Sequence, residues 1–190
     1  MSIKESWQLI ERGLSRFETN ASFNEPVSES KIAEFESEFS LKIPDELVES
    51  LLIHDGETVH GNSPFRWAFC SLKRIGETIK MQRQILGLDK RRVPYVDSIP
   101  EGCIRSDIDW SEKWIPVMSS EDGEVICDFD PAPKGELGQM IFCPPIPLGV
   151  PRVVLAKDYS ALMVKLAEIA NSPETEVEYG QIEMSTRDFL

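Results

Sequence analysis

The chain has 190 residues, 41% of them hydrophobic, and a formal charge of −13 with a pI near 4.6. That length and apolar fraction suit a single domain with a sizeable core. The charge argues against a general nucleic-acid binder, which needs cations to displace counterions from phosphate, and favours fast encounter with basic partners. The acidity is uneven: residues 61–105 are net basic and the blocks on either side net acidic. The plain reading is that these blocks lie together and neutralise one another. Cys70, Cys103, Cys127 and Cys143 show no Cys-x-x-Cys and no close pairing. Free thiols in apolar surroundings behave as small hydrophobes and suit a reducing compartment. The opening Met1-Ser2-Ile3-Lys4-Glu5 lacks the apolar run of a signal peptide, and no stretch approaches a membrane span. The expectation is a cytoplasmic protein.

In chain order, Trp7, Ile10, Leu14 and Phe17 recur at spacings of three and four, which predicts an amphipathic helix over 3–18, ended by 20–26. Ser28 or Ser30 can cap a second helix with Ile32, Phe35 and Phe39 as its buried stripe. Pro44 suits the first position of a third helix, Asp45 and Glu46 complement its dipole, and Leu47, Val48, Leu51 and Leu52 supply its core face. Gly56 is the expected stop of that helix. Residues 67–72 read as a short strand, and 73–86 as a helix with Ile75, Ile79, Gln82 and Leu86 along one side. Residues 87–110 form a long loop with few pattern cues, and it holds the densest basic spot, Lys90-Arg91-Arg92.

The stretch 114–142 then reads as a meander of three strands. Its first turn is expected around Asp122-Gly123, because glycine accepts positive φ and aspartate bonds nearby backbone. In the middle strand Val125, Cys127 and Phe129 are expected on one face, with Ile126, Asp128 and Asp130 on the other. Cys143-Pro144-Pro145-Ile146-Pro147 is a stiff connector, Arg152–Ala156 a further strand, and 160–170 a last helix. The fold class expected is α+β: an antiparallel sheet, made of that meander plus flanking strands, packed against N-terminal and C-terminal helices. Residues 1–172 are expected to form the domain and 173–190 an acidic, partly mobile tail.

The order of short motifs resembles that of a known family. It runs from the helix carrying Trp7 to Phe35-Glu36-Ser37-Glu38-Phe39, Leu41-Lys42-Ile43-Pro44 and His54-Asp55-Gly56. Trp114-Ile115-Pro116-Val117, Asp122-Gly123, Cys127-Asp128-Phe129-Asp130-Pro131 and Gly138-Gln139-Met140-Ile141 follow, and Val154–Ala156 with a short helix finish the set. Each piece is weak alone; the ordered series resembles the SUKH superfamily, in the branch named after the fungal cell-wall assembly (glucan-synthesis) regulator. The resemblance implies a non-enzymatic α+β domain. It also implies one of two roles: an immunity protein that neutralises a toxin domain, many such toxins being nucleases, or a regulatory scaffold in cell-wall synthesis and signalling. The family often has a glycine pair at the central turn, where this chain has Asp122-Gly123.

Three chemistries can be set beside that reading. Asp107/Asp109 and Asp128/Asp130 are spaced to hold Mg²⁺ or Mn²⁺, which would suit a metal-dependent enzyme, but no glycine-rich or basic phosphate-binding context adjoins them. His54 and His60 beside Asp55 and Glu57 have the ingredients of a zinc site without a cysteine near; a cap and loop role explains them more simply. Cys70 or Cys103 with His54 would need an orienting acid and an oxyanion site that no motif supplies. The expectation is therefore no catalytic residue, metal or cofactor. The expected partner is a protein, a toxin domain with a basic surface, rather than nucleic acid or membrane. The contact residues expected are Asp107, Asp109, Glu121, Asp122, Asp128 and Asp130, with Asp55 and Glu57 as a second group.

Overall fold

A computed structural model of the chain describes residues 1–17, 22–58, 63–88, 98–145 and 150–189. Expectations placed on residues 18–21, His60, the Leu86 side chain, Lys90-Arg91-Arg92 and Ile146-Pro147 lie outside the described residues. Helix α1 (Ile3–Leu14) starts on a reciprocal cap: the Ser2 hydroxyl accepts the Glu5 N–H, and the Glu5 carboxylate accepts the Ser2 N–H at 2.8 Å. Helix α2 (Glu29–Phe39) is capped by Ser28 and buries Ile32, Phe35 and Phe39, as their spacing predicts. Helix α3 (Asp45–Leu51) has Pro44 as its N-cap and so begins one residue later than expected.

Gly56 does not end α3, which closes on Leu52 in the right-handed region. Gly56 sits further on with φ 67, where a Cβ would stand 2.3 Å from the Ser71 nitrogen. Close passage of two backbones is what requires glycine here. That crossing leads into β1 (Ala68–Phe69) and helix α4 (Leu72–Leu88).

Strands β2 (Trp114–Ser120), β3 (Gly123–Asp128), β4 (Gln139–Cys143) and β5 (Val153–Ala156) complete a five-stranded antiparallel sheet in the order β1-β2-β3-β4-β5. Helix α5 (Tyr159–Asn171), capped by Asp158, packs against α1 and the β4–β5 edge. The α+β class expected from the sequence is the class observed.

Alternation along β3 holds, with Val125 and Cys127 facing the helices and Ile126 facing away. Both faces, however, are buried. Ile126, Trp114, Ile141 and Cys143 are covered by Ile104, Ile108 and Trp110 from the segment before β2. The second half of the long loop is thus a cap over the back of the sheet. Arg152, 1% exposed, holds that cap: its guanidinium donates to the Arg105 carbonyl, to the Ile108 carbonyl at 2.9 Å and to the Asp109 carbonyl at 2.8 Å. The same guanidinium lies 4.9 Å over the Trp114 ring.

The last segment forms a hairpin of β6 (Val177–Glu178) and β7 (Gln181–Ile182), then a 3₁₀ turn at Thr186–Phe189. Ile182 and Met184 are buried in the helix-side core, and the Ile182 N–H donates to the Pro64 carbonyl at 2.8 Å. Among the described residues no helix is long and apolar enough to cross a membrane.

Candidate functional site

The β2–β3 hairpin turns on Glu121-Asp122, since Ser120 already pairs with Gly123. The turn is therefore one residue earlier than expected. Gly123, with φ 137, belongs to the strand, and a Cβ there would stand 2.3 Å from the Cys143 carbonyl oxygen. This tight seat projects Glu121 and Asp122 into solvent. Asp122 accepts two N–H groups of Arg66, at 2.8 and 3.1 Å. Glu124 follows, half-buried. Loss of water pushes its carboxyl up to about 7, against the pull of Arg74. Glu124 is absent from the residues expected at the site, yet strand alternation puts it on the face of Ile126 and Asp128, and that was its available signal.

Two hollows flank the hairpin. One of 540 Å³ is lined by Arg66, Arg74, Ser119, Glu121, Asp122 and Gln181. The other, of 320 Å³, lies between α4 and the cap and includes Ile85, Asp109, Trp110, Glu121, Glu124 and Pro144.

At the opposite end of β3 the carboxylates are engaged. Asp128 is 0% exposed. It accepts the Trp114 indole N–H at 2.7 Å, the Gln139 amide at 2.9 Å and the Asp130 N–H at 2.8 Å. Burial still raises its pKa above its ordinary value. Asp128 is therefore a structural residue of the interior, and the expected contact surface does not include it. Arg105 bridges Asp130 at 2.8 Å and Asp107 at 2.7 Å. Burial by itself would raise Asp130, but the Ser111 hydroxyl and the Arg105 guanidinium together hold it below its ordinary value. The position that a cation would take between these carboxylates is filled by a guanidinium.

The second expected group is engaged in the fold, Asp55 half-buried and Glu57 buried. Asp55 Oδ1 accepts the Leu72 N–H at 2.6 Å, so its helix-end role is at the start of α4 rather than the end of α3. Glu57, 8% exposed, accepts the Phe69 N–H at 2.9 Å and the Ser63 hydroxyl at 3.0 Å. Burial pushes its carboxyl up to about 7. His54 Nε2 lies 2.8 Å from Glu11, with its ring against Trp7 and Phe23. Burial pushes the Cys70 thiol up to about 12, which leaves it protonated at neutral pH. Among the described residues no three His, Cys, Asp or Glu side chains gather as a metal site.

The sheet, its helical cover and the cross-strand row Trp114, Asp128 and Gln139 place the ordered motifs on one scaffold. A family model, that of the SMI1 / KNR4 family (SUKH-1), matches residues 26–172. The chain belongs to this family. No curated protein matches it. The SUKH-1 match runs from just before α2 to Ser172, the residue that follows the end of α5. It leaves α1, with Trp7, and the β6–β7 segment outside, so it starts later than the resemblance read from the sequence. Of the expected contact residues, the SUKH-1 scaffold brings Asp109, Glu121 and Asp122 to the hairpin end and Asp107 and Asp130 to the Arg105 end. It encloses Glu57 and Asp128 and makes Asp55 a helix cap.

Proposed function

We propose that this SUKH-1 domain is a non-enzymatic protein-binding module of the immunity type. It occupies a toxin domain and blocks it by bulk and by charge, with no covalent step. The observation that carries this reading is the exposed acidic tip of the hairpin, Glu121 and Asp122, on a chain of this family with a charge of −13. A nuclease presents cations where it holds phosphate, so an acidic inhibitor can occupy the same surface. Asp107 and Asp109 extend the contact along the cap, and Asp130 takes part through its bridge to Arg105. The free cysteines suit action in a reducing cytoplasm.

The test is association of the chain with the toxin domain encoded beside it, followed at two salt concentrations. The on-rate is expected to fall as salt rises, and Glu121→Gln with Asp122→Asn to slow it roughly threefold. An on-rate indifferent to salt would remove the electrostatic part. If the gene has no toxin neighbour, the regulatory-scaffold role takes precedence.

A further inference from the structure

The 320 Å³ groove between α4 and the β2–β3 hairpin combines two chemistries. Ile85, 45% exposed, together with Trp110 and Pro144, makes it apolar. Asp109, Glu121 and Glu124 bring carboxylates to it from the cap, the turn and the strand. Among the described residues, none of these three carboxylates has a cation within ion-pair distance. One of them is short of a donor as well: Asp109 Oδ1 is shut off from water and accepts no hydrogen bond. A buried acceptor left in that state is costly, so the Asp109 carboxylate gains by turning an oxygen towards a donor placed in the groove. The raised carboxyl of Glu124 reports the same lack of solvation.

We propose that this groove seats an arginine side chain of the partner protein. The proposal rests on the protein-binding reading above and names what that surface takes. An arginine has an aliphatic stem to lie along Ile85 and Pro144. Its planar fork carries several donors in fixed directions, enough to serve carboxylates that come from different elements. An apolar side chain would fill the space and leave the carboxylates stranded away from water. An anion would be repelled. The hollow on the other side of the hairpin mixes signs, since Arg66 and Arg74 share its wall with Glu121 and Asp122 and Arg66 is already paired with Asp122, so it offers a cation less than the groove does.

The test is a titration of the isotope-labelled full chain with acetylated, amidated Gly-Arg-Gly, and with the same peptide carrying citrulline, the neutral isostere. Saturable shifts of the Trp110 indole and of the Gly123 and Glu124 amides are expected, with the citrulline peptide about tenfold weaker. Asp109→Asn and Glu124→Gln are each expected to weaken the arginine peptide by roughly threefold or more. Glu121→Gln, at an exposed turn where folding is not at stake, is expected to weaken it in the same direction. Glu168→Gln on the solvent side of α5 leaves it unchanged. Equal response to the two peptides overturns the proposal, as does binding that survives Asp109→Asn combined with Glu124→Gln. A toxin domain that binds the wild type and that double variant alike strikes the groove alone. Binding of the arginine peptide by a chain that ignores the toxin domain upholds the groove and strikes the immunity reading.

Discussion

Asp128 shows what a buried carboxylate does when every oxygen has a donor. Its partners Trp114 and Gln139 are its cross-strand neighbours on β2 and β4, so one side chain ties three strands at the same level. Gln139 also donates to the Cys103 carbonyl at 2.9 Å, which extends the tie to the cap. Replacing Asp128 with Ala takes the acceptor from the Trp114 indole N–H and the Asp130 N–H and leaves the Gln139 amide only the Cys103 carbonyl. Urea unfolding is expected to show a loss of about 2–4 kcal/mol, against about 0.5 kcal/mol or less for Glu121→Ala at the exposed turn. Glu124 is the contrasting residue, a half-buried carboxyl raised from 4.5 to about 7. Below the unfolded value it is protonated in both states, and its stabilising contribution is complete. As pH rises from 4.5 towards 7 the unfolded chain gives up this proton first, so stability falls; above the folded value the loss is complete. Between those limits the wild type is expected to lose roughly 1–3 kcal/mol more than Glu124→Gln, in paired denaturation curves at each pH.

At the scale of elements, the cap over 98–113 is held by few regular hydrogen bonds and one buried guanidinium. The carbonyls of Arg105, Ile108 and Asp109 all converge on Arg152, just before β5. The Ser98 hydroxyl, in turn, accepts the Cys103 and Ile104 N–H groups at 3.1 Å each. Arg152→Met keeps an apolar stem under Trp114 but leaves those carbonyls without their donor. Amide exchange at Ile104 is expected to quicken about tenfold or more, while the central β3 amides change little, since the cap then opens without the sheet. Equal protection of Ile104 in both proteins would show that apolar contact alone holds the cap. The groove proposed for arginine shares Asp109 and Trp110 with this cap, so loosening it also blunts that site.

For the whole molecule, the boundary of the family match and the boundary of the packed core do not coincide. The match ends at residue 172, yet Ile182 is 1% and Met184 5% exposed in the helix-side core, and Phe189 lies 5.9 Å from Trp67. A chain ended at residue 172 uncovers that part of the core. Each buried side chain of this size contributes about 1.5–3 kcal/mol, so calorimetry is expected to show a Tm lower by roughly 5–15 °C. A truncated chain that melts with the full one would show that the last segment only rests on the surface.

Local rules in the sequence determined the helices, because a cap at Ser28 and a stripe of Ile32, Phe35 and Phe39 act within a few residues of one another. The same holds for the antiparallel order of the meander and for the alternation along β3. Sequence alone also brought out the acidity and the ordered motifs that mark the SUKH-1 family. Only the tertiary structure decided which carboxylates are exposed, since charge at one position says nothing of what folds over it. Asp128 and Glu57 carry the same carboxyl group as Glu121, but the cap and β1 enclose the first two and leave the third in water. The cap itself had no periodic signal, because it is irregular backbone held by contacts with Arg152 more than forty residues away in sequence. Tertiary packing likewise made Gly56 a crossing point and drew Ile182 and Met184 from a polar segment into the core. These are outcomes of distant surfaces meeting, and no window along the chain contains both partners.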